Sequence, residues 1–489
     1  MTQTPLTQLF IDGKFVDSVL GGVFETHNPA QGTVLTEVSE ATAADVDLAV
    51  KAAQNALVGP WGRMELSERA KVIRAVAELL EQRVDELASL ESLDTGKPIN
   101  DARDDVLETA MWFDFYADMG QKVRSSVIPS YKGYLNYTVR QPIGVVGLII
   151  PWNYPLALCG LKMPAALAMG NAVLLKPAEQ TPLSALALAN ICREAGIPDG
   201  VVNVLPGYGA SAGRAIVEHP GVGMVSFTGS TEVGREIASL AGASLKKITL
   251  ELGGKSPNIV FADADLGLAS KNSLFTFAVN QGQLCTAGTR LLVERNIHDE
   301  FVAELSSQAE ALKVGAPDHP DTQLGAIISP TQLSRIETYV ETGKAAGATL
   351  VTGGHQVNVS GHEGGWFYSP TIFTEVDSKM RIAQEEIFGP VLSVIPFDSE
   401  DQAIELANDV IYGLAASIWT SRVEKAHRLA HEIEAGLIYL NTNNITAPGS
   451  PYSGWKQSGT GTEGGFEQAE EFTRLKSVWL NLSDDVPHL

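Results

Sequence analysis

Four apolar runs, near residues 145–150, 172–176, 201–205 and 224–227, alternate with segments of helical periodicity at 182–195, 210–218 and 232–242. Strands apolar along their whole length are covered on both faces, and strand–helix alternation builds a parallel sheet wrapped by helices. Nothing else in the chain restricts the fold as strongly, because a sheet of this kind binds a dinucleotide at the carboxyl ends of its strands. A second alternation follows Gly253, with strand-like runs at 257–261, 290–295 and 391–396, and predicts a second α/β domain. A chain of 489 residues exceeds what one core supports, so two or three domains are expected. The opening L-F-I-D-G-K-F-V reads as a hairpin turned at Asp12-Gly13. Residues 43–57 and 66–92 show helical periodicity, with Ser67 as the N-cap of the second helix.

Composition narrows the function. With 44% hydrophobic and 19% charged residues the chain builds large cores and is not disordered. Its three cysteines, Cys159, Cys192 and Cys285, are too scattered for a disulfide framework or a zinc site, so no metal is expected. No apolar leader segment and no run of 18 apolar residues is present, which points to the cytoplasm and away from a membrane. A net charge of −23 repels a phosphate backbone and argues against nucleic acid. It leaves open attraction of cationic substrates or adaptation to salt.

Several strand ends carry chemistry. Cys285 stands in F-A-V-N-Q-G-Q-L-C-T-A-G-T-R, among small and amide-bearing residues. A thiol of pKa ~8.5 is only about 3% thiolate at pH 7, so a nucleophilic cysteine needs an electropositive, partly open site. Read alone, Cys285 is equally a small buried hydrophobe. Glu251, in L-E-L-G-G-K-S-P, stands beside a Gly pair and an apolar run, where desolvation raises a carboxyl pKa toward the range of a general base. G-V-V-G-L-I-I-P-W-N-Y-P reads as a buried strand stopped by Pro151, followed by Trp152 and Asn153. An Asn amide is a suitable oxyanion donor, typically worth ~3–4 kcal/mol of barrier. N-A-V-L-L-K-P-A-E-Q-T-P is another buried strand ending in Lys176 and Glu179.

Other patterns compete. Gly209-Ala-Ser211-Ala-Gly213 fits a nucleophile elbow after the strand-like V-V-N-V-L-P, which makes a serine hydrolase using Ser211 the rival reaction class. It leaves Cys285, Glu251 and Asn153 unexplained. Gly459-x-Gly461-x-x-Gly464 has no strand leading into it, and His427 and His431 lack the Glu of a zinc helix.

P-W-N-Y-P, K-P-A-E-Q-T-P, L-E-L-G-G-K-S-P and N-Q-G-Q-L-C-T-A-G-T-R, in this order, resemble the NAD(P)-dependent aldehyde dehydrogenase superfamily. So do F-T-G-S-T-E-V-G, E-E-I-F-G-P-V and K-Q-S-G-T-G, and the likeness runs from about Leu9 to the C-terminus. The resemblance implies an NAD-binding domain over 1–121 and 143–254 and a catalytic domain over 255–453. A small β oligomerisation arm would span 122–142 and 466–489, giving a homodimer or homotetramer. It implies that Cys285 attacks the aldehyde carbon, with the oxyanion held by Asn153 and the Cys285 N–H. A hydride leaves for the nicotinamide, and Glu251 activates water on the thioester. Lys162 and Glu463 match positions proposed to pass the proton outward, although Thr462 stands where the family often has Arg. Lys176 and Glu179 resemble the pair on the adenine ribose, and a carboxylate there disfavours the 2′-phosphate of NADP. Gly229 and Ser230 would meet the pyrophosphate. Trp152, Glu386, Phe388 and Gln332 would lie by the nicotinamide and its ribose.

The ending K-S-V-W-L-N-L and the Y-P of P-W-N-Y-P are similar to betaine-aldehyde and aminoaldehyde dehydrogenases, which hold a cationic head group among aromatic rings. Tyr154 and Tyr452 would be two walls. Leu161 and Val279 are aliphatic where such enzymes place aromatics, which leaves open a broad apolar or aromatic aldehyde pocket.

Overall fold

The computed structural model describes residues 6–483. The outermost parts of the expected first and last segments, 1–5 and 484–489, lie outside them. The first alternation forms an eight-stranded sheet. At its centre five parallel strands run in the order Val202–Val204, Ala172–Lys176, Val145–Ile149, Met224–Thr228 and Lys247–Glu251. The opening hairpin, Leu9–Ile11 with Lys14–Val16, joins one edge antiparallel, turning at Asp12 and Gly13 with φ of 52° and 73°. Gly459–Thr460 closes the other edge against Leu250 and Glu251.

The chain lays its first parallel strands outward from Val145–Ile149, then returns to the other side of that strand with Met224–Thr228. That reversal is a topological switch point, where the loops diverge and leave a crevice beyond the strand ends. Alternate residues explain why these strands are apolar throughout. Val146, Leu148, Val173 and Leu175 enter one core, while Val145, Ile149, Ala172 and Leu174 enter another on the opposite face.

The second alternation forms a seven-stranded sheet in the order Thr349–Thr352, Thr371–Thr374, Val391–Phe397, Arg290–Glu294, Pro257–Val260, Ala415–Trp419 and Leu437–Leu440. Only the Thr349–Thr352 edge is antiparallel. Ile259 and Leu292 pack on one face, Val260, Leu291 and Val293 on the other. A separate three-stranded sheet pairs Thr473–Asn481 with Tyr134–Pro142 in unbroken antiparallel register, with Val127–Ile128 beyond.

Two local expectations are corrected. The helix over 66–92 is two helices, Leu66–Gln82 and Val84–Thr95, separated at Arg83 (φ −118°, ψ 24°), whose guanidinium is tied to Glu194. Buried Leu80 and Leu87 keep a seven-residue spacing across the break, so the apolar pattern does not reveal it. The N-cap is Glu65, and Ser67 lies inside the first turn. The segment at 210–218 begins as a π-helix, Gly209–Gly213, before Arg214–Glu218 continues as α-helix.

Candidate active site

A cavity of about 590 Å³ opens where the carboxyl ends of the first sheet face the segment that carries the thiol. Trp152, Asn153, Gly229, Ser230 and Glu251 reach it from the first sheet; Val279, Cys285, Gln332, Glu386 and Phe388 reach it from the second alternation. Tyr154, Leu161, Tyr452 and Glu463 complete the set of expected residues on its wall. Lys162, Lys176 and Glu179 are not part of its lining.

The thiol rides on an unusual loop. The helix Leu266–Ala278 ends in Val279, after which Asn280, Gln281 and Gly282 take φ of 48°, 57° and 69°. Non-glycine residues in this left-handed region cost of order 1–3 kcal/mol each and persist only where neighbours hold them. Here they are held. Asn280 Nδ2 donates to the Asn153 carbonyl (2.9 Å), Asn153 Nδ2 donates to the Gln283 carbonyl (2.9 Å), and Gln283 Oε1 accepts from the Ile328 N–H (3.0 Å). At Gly282 a Cβ would stand 2.3 Å from the Gly389 carbonyl oxygen, so only glycine fits. Gly254 lies under the thiol residue itself, where a Cβ would come within 2.3 Å of the Cys285 carbonyl oxygen. The Gly pair after Glu251 thus lets the two sheets approach at the nucleophile.

Cys285 is partly exposed to the cavity, and its Sγ lies 3.4 Å from the Tyr452 hydroxyl. Burial pushes the thiol up to about 11, with the Tyr452 contact opposing and the Glu386 and Glu251 charges adding to the rise. The electropositive surroundings expected of a nucleophilic cysteine are therefore not built into the chain. Burial, with the acids of the site adding to it, favours the resting sulfur as a thiol, and a cationic group brought into the cavity would lower its pKa.

Asn153 keeps one amide hydrogen beyond its bond to Gln283, and its Oδ1 is buried without a partner. Glu251 ends the strand Lys247–Glu251, buried, with neither carboxylate oxygen hydrogen-bonded. Burial raises its pKa well above the carboxylate range, the Glu463 charge raises it further, and Lys162 opposes. Lys162, fully buried on the helix Pro155–Ala168, forms an ion pair with Glu463 and donates to Ser226 Oγ (2.9 Å), which in turn donates to Glu463 Oε1 (3.0 Å). Glu463 Oε2 is left free and buried. Thr462, the departure from the family pattern, accepts a hydrogen bond from Ser453 (2.9 Å) without disturbing that cluster.

At the far end Lys176 Nζ meets Glu179 Oε2 at 3.1 Å, with burial lowering the lysine pKa against the attraction of Glu179. Ser230 caps the helix Thr231–Ala243 by accepting from the Val233 N–H (3.3 Å), so the positive end of that helix opens at the cavity. Glu386 accepts from the Gly254 N–H (3.0 Å), and burial raises it to about 7. Phe388, at φ 62°, turns its ring edge-to-face on Trp152 at 5.2 Å. Gln332 donates to the Ile387 and Phe388 carbonyls (3.1 and 2.8 Å), so its amide nitrogen braces that loop.

Tyr154 stands on the wall with one ring face already in use. Lys97 Nζ sits 4.2 Å from its ring centroid, itself paired with Asp105 and Glu91, so one face already holds an internal cation. Ser211 lies off the cavity and donates to the Tyr208 carbonyl (3.3 Å), and among the described residues no His or acid is hydrogen-bonded to its hydroxyl. Gly459 pairs with Glu251 as an edge strand, and His427 and His431 are exposed on the helix Val423–Glu432.

Sequence reading missed the mouth beyond Cys285. Glu108 and Trp112 on the helix Ile99–Ala117, with Phe275, Tyr439, Asn444 and Thr446, line it. Glu108 Oε1 accepts from Trp112 Nε1 (3.3 Å) and Thr446 Oγ1 (3.2 Å), and burial raises its pKa. The available signal was the i, i+4 spacing of Glu108 and Trp112 on a helix whose buried face also carries the polar Asp105 and Thr109. Ser226 was missed as well, because it sits inside a strand read only as core.

Residues 15–478 match the model of the aldehyde dehydrogenase family. An aldehyde dehydrogenase of Emericella nidulans is 46% identical over 477 residues, covering 97% of this chain and 95% of that protein. The structure of an aldehyde dehydrogenase from Bacillus cereus in complex with NAD+ superposes with a TM-score of 0.96 at 45% identity, covering 98% of this chain and 97% of that one. An indole-3-acetaldehyde dehydrogenase structure, also in complex with NAD+, superposes with a TM-score of 0.96 at 42% identity over 98% of this chain and 97% of its own. Family match, full-length identity and fold agree: the chain belongs to the aldehyde dehydrogenase family.

Proposed function

We propose that the chain oxidises an aldehyde to its carboxylic acid with NAD+, through a thiohemiacetal and then a thioester on Cys285. The observation that carries this reading is the convergence of Cys285, Asn153 and Glu251 on one cavity that continues to the switch point of the first sheet. Cys285 Sγ attacks the carbonyl carbon. The developing oxyanion takes the free Asn153 amide hydrogen and the Cys285 backbone N–H, each such donor being worth ~3–4 kcal/mol of barrier. Glu251, with both oxygens unpartnered, then removes a proton from the water that attacks the thioester. Its burial makes it a stronger base than an exposed carboxylate. The Lys162–Ser226–Glu463 cluster lies beside it to carry that proton away.

The fit to NAD+ rests on three features: the crevice at the switch point, the helix N-terminus at Ser230, and the Lys176–Glu179 pair. Gly229 and Ser230 would hold the pyrophosphate, Lys176 and Glu179 the adenine ribose, and Glu386, Phe388 and Trp152 the nicotinamide ribose and ring. When bound, the coenzyme supplies the hydride acceptor. On this reading 1–121 with 143–254 is the coenzyme domain and 255–453 the catalytic domain. Residues 122–142 with 466–489 form the arm of a homodimer or homotetramer. The exposed Val127, Tyr131, Leu475 and Trp479 on that arm support an interface between subunits. No helix among the described residues is long and apolar enough to cross a membrane.

For the substrate, an apolar or aromatic aldehyde fits the mouth formed by Trp112, Leu158, Leu161, Phe275 and Val279. A second reading, an ω-aminoaldehyde, is favoured by one observation: the Glu108 carboxyl stands among those aromatic walls. The trimethylammonium head of betaine aldehyde has less support, since Lys97 occupies a face of Tyr154. The test is initial NADH formation across benzaldehydes, short aliphatics, 4-aminobutanal and betaine aldehyde, with NAD+ and NADP+ compared. Benzaldehydes leading by tenfold or more support the apolar reading, and a lead by 4-aminobutanal supports the second. Silence across the panel rejects both.

A further inference from the structure

The Tyr452 phenol is within hydrogen-bonding distance of the nucleophile, and its geometry is unlike that of a simple pocket wall. Its oxygen lies 3.4 Å from Cys285 Sγ, and no other hydrogen bond of that hydroxyl is present among the described residues. Its backbone is clamped. The Tyr452 N–H donates to the Glu463 carbonyl (2.6 Å) and the Glu463 N–H donates to the Tyr452 carbonyl (2.8 Å). The backbone from which the phenol reaches sulfur is therefore anchored by the same short bridge that places Glu463 beside Lys162.

We propose that Tyr452 is a catalytic residue whose O–H donates to Cys285 Sγ and stabilises the thiolate, in addition to lining the aldehyde pocket. The inference rests on Cys285 being the nucleophile. The chemistry is asymmetric between the two states of sulfur. Against a thiol either partner is able to donate, and the bond is weak. Against a thiolate only the phenol has a hydrogen, and the bond becomes charge-assisted. Ionisation breaks the Sγ–H bond, the proton passes to solvent water, and the electron pair stays on sulfur, where the phenol O–H meets it.

The other groups that act on the sulfur do not replace this one. Glu251 and Glu386 are acids whose charges disfavour a thiolate, and the Tyr154 and Tyr439 hydroxyls act only at longer range. The Thr286 backbone N–H favours the thiolate but survives any side-chain change. Among the described residues, Tyr452 is thus the one side chain whose hydrogen bond to the sulfur offsets the surrounding acids.

The experiment is the pH–rate profile for alkylation of Cys285 by iodoacetamide, an uncharged reagent, with the modified residue located by peptide mass. Wild type is compared with Tyr452→Phe and with 3-fluorotyrosine placed at 452, a near-isosteric change that makes the phenol a stronger donor. NAD+ binding is measured alongside. The expected result is a profile moved to higher pH in Tyr452→Phe, with alkylation about tenfold slower at neutral pH. The fluorinated protein should move the opposite way. Unmoved profiles in both variants, with only KM for aldehydes altered, would overturn the proposal and leave Tyr452 as a wall. If Tyr452→Phe lost NAD+ binding through misfolding, the fluorinated protein decides alone. Failure of the underlying reading looks different: Cys285 fully alkylated with aldehyde oxidation intact.

Discussion

The two ends of the cavity are built in opposite ways. At the coenzyme end most of the functional groups follow strands of one parallel sheet: Trp152 and Asn153 after Val145–Ile149, Lys176 at the end of Ala172–Lys176, Gly229 and Ser230 after Met224–Thr228, with Glu386 and Phe388 added from the second alternation. The strand-end positions are fixed by the sheet's own hydrogen-bond ladder. At the aldehyde end the groups come from a helix (Glu108, Trp112), a helix terminus (Phe275, Val279) and the segment 444–452, which no single ladder holds together. Strand ends give geometry that is insensitive to neighbouring side chains, whereas an assembled mouth changes with each of them. One chain thereby keeps a constant reaction at one end and an adjustable selectivity at the other.

Substitutions at the boundary between these ends break the reaction outright. Cys285→Ala should lower aldehyde oxidation by ~10⁴-fold or more, since removal of a nucleophile forfeits the covalent route, while NAD+ affinity measured by fluorescence titration stays unchanged. An active Ala variant would remove the nucleophile assignment. Asn153→Ala should lower kcat by about 10²–10³-fold. It also releases the Gln283 carbonyl that helps hold the left-handed residues 280–282. If kcat hardly moved, the backbone N–H alone would suffice for the oxyanion.

Further into the coenzyme side, effects become shifts rather than losses. Glu251 is raised by burial and by the charge of Glu463, with Lys162 opposing. Glu463→Gln removes the repelling charge and frees the lysine charge, so both changes lower the Glu251 pKa. The base form then survives to lower pH, and the acidic limb of the kcat profile should move down. A limb that moved up would show that Glu463 does not act on Glu251 through its charge. Glu179→Ser should relax coenzyme choice toward NADP+ by about tenfold, because a carboxylate there repels a 2′-phosphate. Unchanged NAD+/NADP+ ratios would argue against its ribose role. The smallest effect is expected at the mouth. Glu108→Gln should leave benzaldehydes within about twofold and lower kcat/KM for 4-aminobutanal several-fold, on the scale of an exposed to half-buried charge contact. Equal effects on both substrates would make Glu108 structural.

The same contrast decides how much was legible beforehand. The strand-end positions of Asn153 and Lys176 were readable because apolar runs mark strands and strands alternate with helices, whereas the roles given to Glu251 and Ser230 leaned on the resemblance of their motifs. Cys285 was readable only through its companions; its strained loop leaves no periodic trace, and the unfavourable acid surroundings depend on Glu386, a hundred residues away in sequence. Lys97 beneath Tyr154 and Ser226 between Lys162 and Glu463 are contacts across distant elements, invisible to spacing rules. The break at Arg83 was hidden for the reverse reason, since the apolar spacing runs straight through it.

The convergence of Cys285, Asn153 and Glu251 on a covalent route is tested most directly by rapid-mixing measurement of NADH formation in Glu251→Gln, with peptide mass analysis of the quenched enzyme. The predicted result is a burst of NADH close to one equivalent per active site, then near arrest, with the acyl group on the Cys285 peptide. Absence of both burst and acyl-Cys285, in a variant that still binds NAD+, would contradict the division of labour between the thiol and the buried carboxylate.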